Sequence, residues 1–224
     1  MDGNNAQLGG RWCVRDGCGI TCAVITWMLI GYAEFCVLVL FLTSDTGYDF
    51  HQAVNAVIFH IFIILASTSH VKTMFTDPGA VPKGTATDEY IQRMGLKIGQ
   101  VIYKCGKCSS IKPERAHHCR RMDHHCPWVN NCVGENNQKY FVLFTFYIAV
   151  LSIHTLYWSV WQFTTCLNDD WRSCAVFSPP ATTIFLVMLL FEAVLFAIFT
   201  SVMCGTQLHA IMTDETVFSV LFVG

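Results

Sequence analysis

The sequence contains four long apolar stretches separated by mostly polar connectors. Each stretch is long enough to cross ~30 Å of hydrocarbon as a helix that rises ~1.5 Å per residue. Buried core helices of a soluble protein are the alternative, but four such runs joined by polar connectors disfavour it. The pattern therefore predicts an all-α membrane protein with four transmembrane helices, at residues 18–42, 53–71, 140–163 and 181–204.

The composition agrees with a membrane protein. Hydrophobic residues make up 53% of the 224 residues and charged residues only 13%, whereas soluble domains carry about a quarter charged residues. The net charge of −2 excludes no class of partner, because the charges are unevenly distributed along the chain.

Lysine and arginine are concentrated in one connector. Of the 14 in the chain, 11 lie within residues 72–139, and the connector at residues 43–52 has none. Basic residues accumulate on the cytosolic side of a membrane. We therefore expect the N-terminal residues 1–17, the loop at 72–139 and a short tail at 205–224 to be cytosolic, and residues 43–52 and 164–180 to be lumenal. The first apolar run lacks an Ala-x-Ala cleavage site and is interpreted as a signal anchor.

The large loop holds a dense cluster of Cys and His residues at 101–141. Cysteines that cluster in the reducing cytosol indicate metal binding or catalysis rather than disulfides. The Cys105-x2-Cys108 spacing suits two zinc ligands on one tight turn. Since the segment has too few apolar residues for a core of its own, we expect a small zinc-type domain that folds around metal. The candidate zinc ligands are Cys105, Cys108, His118, Cys119, His125 and Cys132.

The run Asp123-His124-His125-Cys126 allows two interpretations. In the first, the Cys126 thiol is a nucleophile, His124 is its base, and Asp123 fixes the tautomer of the imidazole. In the second, these side chains are further zinc ligands. The residue types and their spacing support both interpretations about equally.

A resemblance to a known family favours the first interpretation. Residues 123–134 and the spacing Cys132-x4-Asn137-x3-Phe141 resemble the signature of the DHHC protein S-acyltransferases. The element Asp77-Pro78-Gly79, directly after the second apolar stretch, also matches the family pattern. Residues 111–119 and the run Gly205-Thr206-Gln207 are similar to those of Golgi-specific members.

The resemblance implies a membrane enzyme that acylates proteins. Cys126 would attack the thioester of palmitoyl-CoA or a similar acyl-CoA and carry the acyl group, His124 would be the general base, and Asp123 would orient it. Cysteine-containing proteins at the lipid bilayer would accept the acyl group, and no nucleic acid is expected as a partner. Zinc sites would hold the motif at the membrane face, an acyl cavity would lie between the helices, and the protein would reside in the Golgi membrane.

The chain departs from the family pattern between Cys119 and Asp123. Family members have a longer segment here, with a Cys-x2-Cys-x2-Cys ladder whose second and third cysteines ligate zinc. Without them, one predicted site keeps Cys105, Cys108 and His118, and the other keeps Cys119, His125 and Cys132. A structural zinc site takes four ligands. The gap therefore supports an alternative function, a catalytically impaired membrane adaptor or variant form with an incomplete zinc domain.

Four ionisable residues lie inside the apolar stretches, where such groups are functional candidates. Counting from the cytosolic helix ends puts Glu34 and His154 at similar depths of ~20–25 Å. They either pair at the far end of an acyl cavity or are separate hydrogen-bonded packing residues. The other two residues are His60 and Glu192.

Two further pairs of residues carry weaker predictions. Cys166 and Cys174 fall in the second lumenal connector, where the compartment permits a disulfide. The basic surplus of the large loop suits the phosphates of CoA and an anionic leaflet, with Arg121 and Lys139 as weak candidates for contact.

Overall fold

The computed structural model describes residues 14, 16–79, 103–104, 111–112, 122–174 and 176–213. Within these ranges, four helices are long and apolar enough to cross a membrane, which confirms the predicted fold class. Helix α1 is Gly17–Phe35 and continues as a π-helical turn, Cys36–Phe41; α2 is Asp49–Phe75, α3 is Gln138–Asn168 and α4 is Pro179–Thr213.

Short strands lie between α2 and α3. Strand β1 (Tyr103–Lys104) pairs antiparallel with β2 (Ile111–Lys112). Strand β3 (Met122–Cys126) pairs antiparallel with β4 (Asn131–Gly134), and the 3-10 turn Pro127–Val129 lies between them. Among the described residues of the loop, the β3–β4 hairpin contacts the helices.

Helices α2, α3 and α4 extend beyond both ends of their predicted spans, whereas α1 with its π-helical turn matches the span predicted at 18–42 to within one residue at each end. Asp16 caps α1, because its Oδ2 atom accepts a hydrogen bond from the backbone nitrogen of Gly19 at 3.1 Å. Pro179 begins α4, a position where its missing N–H costs nothing. At its other end α4 continues well past the predicted limit at residue 204 and reaches at least Thr213.

The interior of the bundle is centred on Trp158, which is fully buried. Its ring contacts Phe41 edge-on, with the centroids 4.7 Å apart. Its Nε1 atom donates to Gln52 Oε1 at 2.8 Å, and Gln52 Nε2 donates to Gln162 Oε1 at 3.0 Å. These buried hydrogen bonds join α2 to α3, since polar side chains in hydrocarbon are stable only when they find partners.

The pairing of Glu34 with His154 is wrong. Glu34 Oε1 lies 2.9 Å from His60 Nε2 on α2, and His154 Nε2 lies 2.9 Å from Asn55 Oδ1 on the same helix. Similar depth is insufficient to predict a pair, because each helix turns only one stripe of its surface towards a given neighbour. Both residues therefore match the other interpretation, of separate hydrogen-bonded packing residues.

The disulfide between Cys166 and Cys174 is formed. Cys166 lies in the last turns of α3 rather than in the connector, because α3 continues to Asn168. Both cysteines are buried, so the disulfide fixes the start of the α3–α4 connector against the helix that precedes it.

Candidate active site

The residues Asp123 to Cys126 lie on β3, opposite β4. His125 is paired with Cys132, and Cys126 with Asn131. The register is irregular between Met122 and His124, which indicates a bulge at Asp123. Adjacent side chains of a regular strand point to opposite faces, and a bulge re-aims one of them. The bulge explains how two adjacent side chains, those of Asp123 and His124, contact each other.

His124 is held by Asp123 and by an aromatic ring. Its Nδ1 atom lies 2.8 Å from Asp123 Oδ2, and its ring packs against Phe141 at a centroid distance of 5.2 Å. Burial by itself lowers the pKa of His124, but the hydrogen bond to Asp123 and the interaction with Cys126 outweigh it and raise the pKa to about 9. Because Nδ1 bonds to Asp123, the buried Nε2 atom is the ring nitrogen left for proton transfer with Cys126.

Cys126 is 5% exposed and lines a cavity between the helices. The cavity has a volume of about 860 Å³, including the space at its open side. All four helices contribute to its walls, which are almost entirely apolar. Representative wall residues are Leu29, Ile63, Ile148 and Phe196, and Glu192 is the acidic residue in the lining.

Two buried asparagines attach the β3–β4 hairpin to the end of α2. Asn131 Nδ2 donates to the backbone oxygens of Thr73, Met74 and Thr76 at 2.9, 3.1 and 3.0 Å. Asn137 Nδ2 also donates to Thr73, at 3.2 Å. The last carbonyls of a helix have no partner within the helix, and these amides supply partners. The asparagines of the signature therefore position the motif, a role that the spacing alone did not predict.

The start of α1 packs closely against the turn after Cys126. Asn130 has a left-handed backbone with φ of 45°, and its Nδ2 atom donates to the backbone oxygen of Val14 at 2.9 Å. A Cβ atom at Gly19 would lie 2.3 Å from Asn130 Oδ1, so a larger residue there would displace the Asn130 side chain. From α2, His70 Nε2 donates to the backbone oxygen of Trp128 in the same turn at 3.0 Å.

Gln207 on α4 contacts the same carboxylate as His124. Its Nε2 atom donates to Asp123 Oδ2 at 2.7 Å, and its Oε1 atom accepts from Gln138 Nε2 at 3.2 Å. In the sequence, Gln207 stands out only as part of a Golgi-type motif, and its contact with Asp123 was not foreseen. The available signal is helical spacing, because Thr200 and Met203 line the cavity and Gln207 continues the same face of α4.

Two of the six predicted zinc ligands lie among the described residues. His125 Nδ1 is 3.4 Å from Cys132 Sγ across the hairpin. Two ligands of one tetrahedral zinc ion lie ~3.5 Å apart when the Zn–N and Zn–S bonds are ~2.0 and ~2.3 Å, so the donor pair fits a shared ion. The described residues hold no group of three or more His, Cys, Asp and Glu side chains arranged for a metal. Predicted ligands outside the described residues are Cys105, Cys108, His118 and Cys119.

Comparison with known protein families covers the Asp123–Cys126 motif and the two helices that follow it. A family profile described as DHHC palmitoyltransferase matches residues 101–220. This chain belongs to the DHHC palmitoyltransferase family. The resemblance seen in the sequence is confirmed, and the match includes the hairpin, α3 and α4.

Relatives within the DHHC family match nearly the whole chain. It is 57% identical over 216 residues to palmitoyltransferase ZDHHC3 of Homo sapiens, which covers 93% of this chain and 72% of that protein. It is 55% identical over 221 residues to palmitoyltransferase ZDHHC7 of Rattus norvegicus, covering 95% of this chain and 71% of that protein. A plant relative, probable protein S-acyltransferase 12 of Arabidopsis thaliana, is 40% identical over 111 residues, or 40% of this chain and 36% of that protein.

Lys139, one of the two basic candidates for CoA contact in this DHHC chain, lies in the first turn of α3. Lys139 Nζ is 4.9 Å from the ring centroid of Tyr140, and Lys72 Nζ is 5.3 Å from the same centroid. Arg121 lies outside the described residues. A phosphate contact by Lys139 stays a prediction.

Proposed function

We propose that this chain is a protein S-acyltransferase that moves palmitoyl or a similar fatty acyl group from acyl-CoA to cysteines of target proteins through acyl-Cys126. The observation that carries the proposal is the Asp123–His124 pair beside a thiol that opens onto an apolar cavity. Fatty acyl chains need an apolar site, and thioester exchange needs a thiolate and a base.

In the first step, His124 takes the proton of the Cys126 thiol. The raised pKa of His124 gives its imidazole the proton affinity that this transfer requires. The Cys126 sulfur attacks the carbonyl carbon of the acyl-CoA thioester, a new C–S bond forms, and the bond to the CoA sulfur breaks. The CoA thiolate leaves with the proton held by His124.

In the second step, His124 accepts the proton of a cysteine on the target protein. The sulfur of that cysteine attacks the acyl-Cys126 carbonyl, and the bond between the acyl group and Cys126 breaks. The Cys126 thiolate regains a proton from His124. Asp123 serves both steps, because its hydrogen bond to Nδ1 leaves Nε2 as the nitrogen that exchanges protons.

The cavity supports a lipid substrate for Cys126. Its walls come from all four helices, and the thiol lies in the same lining as residues deep in the bundle such as Glu192. An acyl chain in this space would be surrounded by apolar side chains while its thioester carbon meets the sulfur. This arrangement suits a long chain better than a water-soluble acyl group.

The proposal includes zinc as a structural cofactor. His125 and Cys132 would hold an ion together with Cys119, and Cys105, Cys108 and His118 would form a second group. When bound, zinc would supply folding free energy to the loop. We also place residues 72–139 on the cytosolic side and the protein in the Golgi membrane, as the basic residues and the Golgi-type motifs indicate.

Incubation of the purified chain with labelled palmitoyl-CoA tests the proposal. We expect label on Cys126 that survives denaturing detergent and is released by neutral hydroxylamine, as a thioester is. Cys126→Ala should abolish this label. Cys204→Ala is the matched control, because Cys204 is a buried free thiol on α4 that has no assigned role in the reaction, and it should leave the label unchanged.

The same experiment separates the enzyme from the adaptor alternative. A folded, zinc-loaded sample that takes no label on Cys126 would contradict the proposed activity for this form of the chain and favour the adaptor. Transfer of label to an added cysteine peptide shows the second step. Label that stays on Cys126 in the presence of the peptide would limit the function to self-acylation.

A further inference from the structure

We propose that Gln207 is a positioning residue for acyl transfer, which acts through the Asp123 carboxylate. The inference rests on the proposed function, in which Asp123 orients His124. It starts from one contact, the 2.7 Å hydrogen bond that Gln207 Nε2 donates to Asp123 Oδ2.

The direction of this hydrogen bond is determined by chemistry. A carboxylate only accepts hydrogen bonds, so the amide must present its NH2 group to Asp123. The carbonyl oxygen of the amide then points the other way, where Gln138 Nε2 donates to it at 3.2 Å. Gln138 thus favours the one amide orientation in which Gln207 serves as a donor to Asp123.

Gln207 and His124 converge on the same oxygen atom. His124 Nδ1 lies 2.8 Å from Asp123 Oδ2, and Gln207 lies 2.7 Å from it. Hydrogen bonds to a charged, shielded carboxylate are short and strong. Two donors, from β3 and from α4, hold this one oxygen, so Oδ2 stays aligned with the imidazole rather than rotating away from it.

The surroundings of Gln207 make a purely solvent-facing role untenable. The side chain is fully buried, and Cys204 and Ala210 on the same face of α4 are buried too. A buried amide without partners is costly, and the described partners of Gln207 are Asp123 and Gln138. Gln138 lies in the first turn of α3, so the ends of two cavity-forming helices meet at one catalytic carboxylate.

The arrangement implies that a change in the spacing of α3 and α4 would alter the reactivity of the Cys126 thiol. The two helices line the cavity with residues such as Ile148 and Met203, and the same helices end at the amide pair. A displacement of either helix would move Gln207 relative to Asp123. The orientation of His124 would change with it.

Two variants at residue 207 and a control at Leu208 test the inference in the zinc-loaded chain of 224 residues. Gln207→Met keeps the volume and removes the donor, and we expect the single-turnover rate of Cys126 acylation to fall by about tenfold or more. The KM for palmitoyl-CoA should change less than about twofold, because the cavity is untouched. Gln207→His restores a side-chain N–H donor and should recover part of the rate. Leu208→Met, on the exposed side of the same turn, should have no effect.

A double-mutant cycle distinguishes positioning from general structural damage. If Gln207 acts through Asp123, then Gln207→Met should have little further effect in an Asp123→Asn background. Equal losses in both backgrounds, or a KM increase that matches the rate loss, would overturn the inference. Thermal unfolding of each variant identifies those that fail to fold, and Gln138→Met provides a milder change to the same amide.

A second readout does not depend on acyl transfer. The rate of Cys126 alkylation by iodoacetamide should fall in Gln207→Met and recover in Gln207→His. In an Asp123→Asn background, neither substitution should change this rate. If the unmodified chain takes no acyl label, the proposed function fails while the alkylation rates still decide the role of Gln207. Unchanged alkylation in every variant would refute that role.

Discussion

Glu34 and His60 are joined by a 2.9 Å hydrogen bond between α1 and α2, inside the apolar part of the bundle. His60 Nδ1 also lies 2.6 Å from the backbone oxygen of Ala56, so both ring nitrogens have partners. Polar side chains between membrane helices hydrogen bond across the interface, with a modest net contribution. The pair therefore serves to fix the rotation of α1 against α2.

We expect Glu34→Leu and His60→Phe to be coupled. Double-mutant cycles on hydrogen bonds between membrane helices average about 0.6 kcal/mol and reach about 1.7 kcal/mol, and this pair should lie in that range. Unfolding free energies in mixed detergent micelles give the measurement. Glu34→Leu combined with His154→Phe is the matched control and should be additive, since His154 bonds to Asn55. Stronger coupling between Glu34 and His154 would instead support the pair that their similar depths suggested.

Asn131→Ala should detach the hairpin from α2. The substitution removes one buried amide that serves three backbone oxygens, and each polar group left unsatisfied costs about 1–3 kcal/mol. We predict a loss of unfolding free energy of at least about 2 kcal/mol, together with faster proteolysis of the loop. Asn136→Ala, in the turn after β4 and exposed, should change neither. Equal effects of the two variants would show that the contact to α2 contributes little.

The shortened cysteine-rich segment limits the zinc content. Two tetrahedral sites require eight protein ligands, and only six candidates are present apart from Cys126. We therefore predict fewer than two zinc ions per chain, measured by elemental analysis of the purified protein. Restoring the missing segment with its Cys-x2-Cys-x2-Cys spacing should raise zinc content, protease resistance and self-acylation together. Two tightly bound ions in the unmodified chain, with Cys126 still reactive to a thiol probe, would mean that a further ligand exists.

Loss of the disulfide should destabilise the end of α3. A loop of this size, with a sequence separation of 8 between Cys166 and Cys174, corresponds to about 2–3 kcal/mol in the chain-entropy description. We expect Cys166→Ser to lower the unfolding temperature and to abolish its dependence on reducing agent. Cys18→Ser removes an exposed free thiol instead and should leave both unchanged. If reducing agent still lowers the unfolding temperature of Cys166→Ser, that dependence comes from other cysteines.

The orientation inferred from basic residues has a direct test. In sealed vesicles, tags inserted before Arg11 and near Thr87 should be cleaved by protease added to the cytosolic side. A tag between residues 168 and 172 should be protected until detergent is added, because that connector is expected in the lumen. Protection of the Thr87 tag would reverse the orientation and would remove the argument for zinc in a reducing compartment.

The spans were predictable because their apolar runs are long and their connectors are polar. Their ends were less so, since continuation of a helix into polar sequence depends on tertiary partners. At the end of α4, for example, Gln207 is helical and buried because Asp123 and Gln138 bond to it. No window of local sequence contains that information.

Contacts between distant parts of the chain account for what the sequence did not predict. The residues Asp123, His124 and Cys126 were identified from an uninterrupted motif, and the structure places the three together. The supports of the motif come instead from Asn131 on Thr73 and from Gly19 beside Asn130. These contacts depend on helix rotation and register, which hydropathy does not determine.

The near-complete burial of Cys126 against an apolar cavity has a consequence for timing. Water competes with any acceptor thiol for an acyl-enzyme, and a wall of hydrocarbon side chains, filled further by the acyl chain itself, keeps water scarce at the carbonyl. An acyl group on Cys126 would therefore outlast the intervals between encounters with target proteins. The acylated enzyme would persist in the membrane until a suitable target cysteine arrives. That encounter, rather than hydrolysis, would set the time at which the acyl group leaves Cys126.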